Sequence, residues 1–163
     1  MKTLITIIGL LTLCSGMHAQ WYPVNSNTTE NLNDIFFVDS LTGYCVGGGD
    51  EYGFPEGNGV ILKTTDGGEN WTTIFTQDSL AIQYLAIVNE SNYVKLYGFA
   101  SKNGSSMLVS TFLSSEFQNW SVQTIPYKPY LLKWHDDIIY FIDASNGILK
   151  QIINGSIAEI KPN

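Results

Sequence analysis

Residues 59–71 read GVILKTTDGGENW, and how this stretch must behave decides the fold. Val60, Ile61 and Leu62 favour an extended strand, because branched aliphatic side chains suit a pleated, half-buried surface. Asp66, Gly67 and Gly68 then break it: the carboxylate can accept backbone N–H groups, and the glycines admit positive φ. Trp71 opens a new extended run, WTTIF, and its ring is expected to pack beneath the turn. Thr64, Asp66, Gly68 and Trp71 therefore form a structural staple that joins two antiparallel strands and performs no chemistry.

Outward from this turn the same order of segments recurs. Trp21, Trp71 and Trp120 stand 50 and 49 residues apart, and each opens a strand-like run: WYPV, WTTIF and WSVQTI. Before Trp71 come DIFFVD (34–39), GYCVGG (43–48) and GVILKTT (59–65); before Trp120 come YLAIV (84–88), YVKLYGF (93–99) and SMLVST (106–111). A third copy follows as YLLKW (130–134), DIIYFID (137–143), GILKQI (147–152) and SIAEI (156–160). Four short strands in each repeat of about fifty residues predict an all-β partial β-propeller of about three four-stranded antiparallel blades, with a β-sandwich as the alternative. The expected organisation is a lone outer strand and connection over 20–31, then blades over 32–76, 77–126 and 127–163. No stretch after residue 19 keeps a 3.6-residue apolar period, so helices are not expected there.

The text TTDGGENW matches the pattern of Ser or Thr, any residue, Asp, any residue, Gly, two residues and Trp. With the preceding strand it resembles the Asp-box, or bacterial neuraminidase repeat, propellers of the sortilin and sialidase superfamily. The nearest branch looks like the photosystem II assembly factor. That branch repeats an apolar strand, a GY-V-G strand, an I-L-K-T strand and DGG-x-x-W, matched here by Asp34 to Val38, Gly43 to Gly47, Ile61 to Thr64 and Asp66 to Trp71. The resemblance covers residues 32–75 in full. Before Trp120 the box positions of Asp and Gly hold Ser115 and Phe117, and the third copy has no box Trp. The resemblance implies a closed ring of roughly six to eight blades, more than this chain supplies. Two blade faces would stand open, so the chain is expected to be a piece of a longer propeller or to self-associate through those faces, with an open wedge that persists with mobile ends as the alternative.

Lys2, the apolar run from Leu4 to Leu13 and the exit Met17-His18-Ala19 form a secretory leader over residues 1–19, with cleavage near Ala19. As a helix that run would cover about 15 Å of a hydrocarbon layer roughly 30 Å thick, too little to remain as a membrane span. A lipid anchor on Cys14 is the rival reading, although Leu13 before it is larger than such sites prefer. Export would place the protein in the periplasm, on the cell surface or outside the cell. Beyond the leader Cys45 is the one cysteine, so no internal disulfide can form. All eight basic residues are lysine and the net charge is −7, which argues against nucleic acid and anionic membrane surfaces as partners.

The most site-like segment is GGGDEYGFPEGNG (47–59), on the face where such propellers usually bind ligands. Asp50, Glu51 and Glu56 can hold calcium there, and Tyr52 and Phe54 can stack on a sugar or peptide; a solvated glycine-rich loop is the plain alternative. Tyr127, Tyr130 and Trp134 are the second choice. His135 beside Asp136 and Asp137 is weighed as a metal or catalytic pair and set aside as a polar turn. Cys45 reads as a buried inert thiol, and CVGGGD lacks the helix that phosphate binding needs. Sialidases of this resemblance grip a carboxylate with three arginines, and this chain has no arginine. Six N-x-S/T sequons (Asn27, Asn70, Asn89, Asn103, Asn119, Asn154) and the triplets Asp39-Ser40-Leu41 and Asp78-Ser79-Leu80, which resemble bacterial O-glycosylation sites, carry no assignment. The expectation is an exported, non-catalytic module that binds protein or glycan, without a cofactor. The alternatives are a glycoside hydrolase fragment and an oligomerising surface component.

Overall fold

The computed structural model describes residues 22–49, 57–90, 93–112, 120–135, 138–153 and 156–160. Residues 1–21, 50–56, 91–92, 113–119, 136–137, 154–155 and 161–163 lie outside the described residues, and with them the expected leader, Trp21, Asp50, Glu51, Tyr52, Phe54, Glu56, Asp136 and Asp137. Every regular element described is a strand, and the strands form three antiparallel meanders of four. The first sheet is β1 (Leu32–Phe37), β2 (Gly43–Gly47), β3 (Asn58–Thr64) and β4 (Thr72–Asp78). The second is β5 (Ala81–Glu90), β6 (Tyr93–Lys102), β7 (Ser105–Phe112) and β8 (Ser121–Thr124). The third is β9 (Pro129–His135), β10 (Ile138–Asp143), β11 (Ile148–Ile153) and β12 (Ser156–Glu159). Tyr22 to Val24, expected as a lone strand, pair with no sheet, and both Tyr22 and Val24 are exposed. A strand without a neighbouring edge has no partner for its backbone groups.

Period-two alternation gives each sheet two faces, here called forward (toward the next sheet in the chain) and rear. Phe36, Tyr44, Val46, Ile61 and Phe75 of the first sheet face forward onto Ile82, Leu85, Ile87, Leu96, Ala100 and Val109 on the rear of the second. Tyr84, Ala86, Tyr97, Phe99 and Leu108 face forward from the second sheet onto Leu132, Ile139, Phe141, Ile152 and Ile157 of the third. A bulge between Ile82 and Tyr84 puts Ile82 and Leu85 on the same face although they are three residues apart. Without that extra residue the apolar set of β5 would divide wrongly between the two cores. Each fully buried Val, Leu, Ile or Phe side chain here stabilises by about 1.5–3 kcal/mol relative to exposure.

β5 is the pivot of the stack. It lies against β1, β2 and β3 on one side and against β9 and β10 on the other, so the first strands of successive sheets sit side by side. Polar bonds fix the first junction: Asn33 Nδ2 donates to Ile82 O at 2.9 Å, and Asp34 Oδ2 accepts from Leu85 N at 2.9 Å. At the outer side Trp120, just before β8, packs against Phe75 of β4 with the rings tilted by 46° and their centroids 4.8 Å apart. Sheets aligned through their first strands and touching face to face are a radial stack, which a two-layer sandwich is not.

Candidate functional site

The Thr64–Trp71 turn is closed by its own polar atoms. Thr64 Oγ1 donates to Asp66 Oδ1 at 2.7 Å and accepts from the N–H groups of Asp66 (3.3 Å) and Gly68 (3.0 Å). Asp66 also accepts from Asn70 N at 2.9 Å and Asn70 Nδ2 at 2.8 Å. Gly67 and Gly68 stand at φ 76° and 96°, a conformation that would strain any residue with a Cβ. Trp71 Nε1 donates to Gly68 O at 3.1 Å, and its ring meets Phe37 edge-on at 6.1 Å. The backbone N–H of Asn70, then its side chain and the Thr64 hydroxyl, pull the Asp66 carboxyl down to about 2. The side-chain polar atoms of Thr64, Asp66 and Trp71 are thus spent on the turn itself, while Trp71 O accepts from Asn27 Nδ2 at 3.0 Å.

Because the strands alternate in direction, the connections fall at two ends. At one end lie the links β2–β3, β4–β5, β6–β7, β8–β9 and β10–β11, together with the chain that leads into β1. The described part of this end is a web of local bonds. Asn31 Nδ2 donates to Gly49 O (2.9 Å), Asn33 Nδ2 to Gly48 O (3.1 Å), Asn58 Nδ2 to Glu30 Oε1 (3.3 Å) and Ser79 N to Gly57 O (2.9 Å). Glycine is required at position 47, where a Cβ would run into the backbone of Asn31. The side chains of Asp50, Glu51, Tyr52, Phe54 and Glu56 lie outside the described residues, but the chain that carries them leaves β2 and rejoins β3 at this end.

The third sheet contributes a buried polar group that sequence reading passed over. Asp143, 2% exposed, accepts at Oδ1 from Ser145 Oγ (2.6 Å), Ser145 N (3.1 Å) and Lys128 N (3.2 Å), which ties the β8–β9 link to the β10–β11 turn. The Ser145 hydroxyl first, then the two N–H groups and the Lys150 charge, hold its carboxyl below the usual range against the opposing effect of burial. Lys150 is itself buried, lies over the Tyr127 ring at 4.7 Å and meets Glu159 at 3.7 Å. The available signal was Asp-x-Ser-x-Gly (143–147), whose spacing suits a side-chain-closed turn.

Of the second-choice cluster, Tyr127 is packed against Lys150 and Phe141 while Tyr130 is exposed on the forward face of the third sheet, so the two do not form one surface. Cys45 is buried on the rear of the first sheet beside Leu62 and Trp71, and burial with the nearby Asp34 charge pushes its thiol up to about 11. At neutral pH it is a protonated thiol, a poor nucleophile and a poor metal ligand. No group of three or more His, Cys, Asp or Glu side chains is placed to hold a metal among the described residues.

No protein-family profile matches the chain, and neither does any curated protein. A solved structure does: YCF48 bound to D1 peptide, at 16% identity and a TM-score of 0.58 over 87% of this chain. The three sheets are blades of a partial β-propeller. At such identity the likeness to YCF48 concerns the fold alone, and this chain spans 43% of the YCF48 chain, less than half its length.

Proposed function

We propose that this chain is an exported, non-catalytic propeller module that binds an extended segment of a partner protein. The observation that carries the reading is the fold shared with YCF48, whose solved structure holds a D1 peptide. We assign the binding surface to the end of the blades where β2 leads to β3, with Asp50, Glu51, Tyr52, Phe54 and Glu56 as its side chains. Glu30 and Asp78 lie at the same end, and the net charge of −7 adds a long-range negative field, so a basic, extended peptide suits it best. Tyr52 and Phe54 would supply the large aromatic contact area on which much binding energy concentrates.

The test is fluorescence anisotropy of the purified chain, without its leader, against labelled peptides of matched length and opposite charge, alongside a glycan array. Saturable binding of the basic peptides, weakened by salt and by Glu51→Lys, is the expected result. Binding of glycans with no peptide binding, or release of sugar from a glycoside, would remove the reading.

A further inference from the structure

The exposed apolar residues are not spread over the molecule. Among the described residues, the large hydrophobic side chains that stand exposed are Tyr22, Val24, Leu32, Ile35, Phe37, Val38 and Leu41, in or before the first sheet, and Tyr130, Leu149 and Ile153 in the third. None belongs to the second sheet, both of whose faces are covered. Leu32, Ile35 and Phe37 pair with Gly47, Cys45 and Gly43 and therefore line the rear of the first sheet, beside a shallow cleft. Leu149 pairs with Ile142, and Ile142 with Tyr130, so these lie on the forward face of the third.

That forward face repeats the pattern of the two that are buried. The second strand of each sheet carries a forward tyrosine followed two residues later by an apolar residue: Tyr44 and Val46, Tyr97 and Phe99, Tyr140 and Ile142. Tyr44 and Tyr97 are almost fully covered by the next sheet, whereas Tyr140, between Lys133 and Gln151, remains partly open. A face built like the other two is suited to a further sheet presented rear side first. The chain itself carries a rear face with exposed apolar residues on the first sheet, and two copies come close to the length of the YCF48 chain, of which one spans 43%.

We infer that two copies of this chain associate head to tail, the forward face of each third sheet covering the rear face of the partner's first sheet, so that six blades close one ring. The two forward-to-rear junctions are equivalent and related by a two-fold axis, so the ring closes with two copies and assembly stops at a dimer instead of a filament. Covering both ends removes the exposed patches that a monomer would present to solvent.

Sedimentation velocity on the purified chain tests this, with two variants at exposed positions, Ile35→Lys on the rear face and Leu149→Lys on the forward face, checked for folding by circular dichroism. The parent should sediment at twice the mass of the chain, and each variant should dissociate at least about tenfold more readily, since a lysine buried in an apolar contact opposes pairing. An equimolar mixture of the variants keeps one intact junction and should regain dimer. A monomeric parent at all concentrations overturns the inference, as does an Ile35→Lys protein that dimerises unchanged, because the forward faces would then be pairing with each other.

Discussion

At the residue scale the Thr64–Trp71 turn concentrates the most chemistry into the fewest atoms. The Asp66 carboxyl titrates at about 2 in the folded chain instead of its ordinary 3.8, because the charged form accepts from Asn70 and Thr64. A depressed folded value adds stability that is present above about pH 4 and is lost as the pH falls toward 2. The melting temperature is therefore expected to drop over that window, and Asp66→Asn should flatten the drop; a proton NMR titration that places the Asp66 midpoint near 4 would refute the cause. Cys45 offers a second check. With its thiol pushed up to about 11 and its side chain 5% exposed, it should resist alkylation at pH 8 in the native protein and react once denatured, by mass spectrometry. The Asp66 staple was legible from sequence because all its partners lie within a few residues. The Asp143 turn was written as locally, in Asp143 and Ser145, but its third donor, Lys128 N, comes from another link and no sequence window joins them.

At the element scale β1 and β5 hold the first two blades together through polar groups as well as packing. Asn33 bonds both Gly48 O and Ile82 O, so Asn33→Ala leaves two carbonyls short of a donor and should cost about 1–3 kcal/mol by urea denaturation. Gly47→Ala should also destabilise, by about 1–3 kcal/mol, because its Cβ meets the backbone of Asn31, which cannot retreat without moving the start of β1. An unchanged midpoint for either variant would mean that this junction relaxes freely. Alternation and turn residues sufficed to read the strands from Asp34 to Ile160. The bulge at residue 83 did not show, because it registers only in which face each side chain reaches. No feature of the sequence assigned Asn33 or the Asp34 carboxylate a role of its own, because that role depends on a sheet about fifty residues away.

At the scale of the molecule, within one copy of the chain the middle blade is covered on both faces while each outer blade is covered on one. In the Ile35→Lys variant, at a concentration where it is monomeric, amide protection should follow that order: the amides of β6 and β7 are expected to exchange last, and those of β1 and β12 well before them, in native-state hydrogen exchange. Uniform protection across the three sheets would contradict this layering. The repeat of tryptophans carried the architecture because each repeat is one sheet that cannot bury its apolar faces alone. The segment 47–59 proposed for binding was less legible, since a glycine-rich acidic stretch fits a ligand surface and a solvated link equally well.

The proposed binding surface and the proposed ring both depend on the radial stack, which inter-sheet NOEs from the labelled chain would test. Radial stacking puts the Trp120 indole in contact with Phe75 and Phe99 in contact with Phe141, with no contact between Ile61 of the first sheet and Ile139 of the third. Strong Ile61–Ile139 contacts in place of these would show two sheets facing across a single sandwich core and would contradict it.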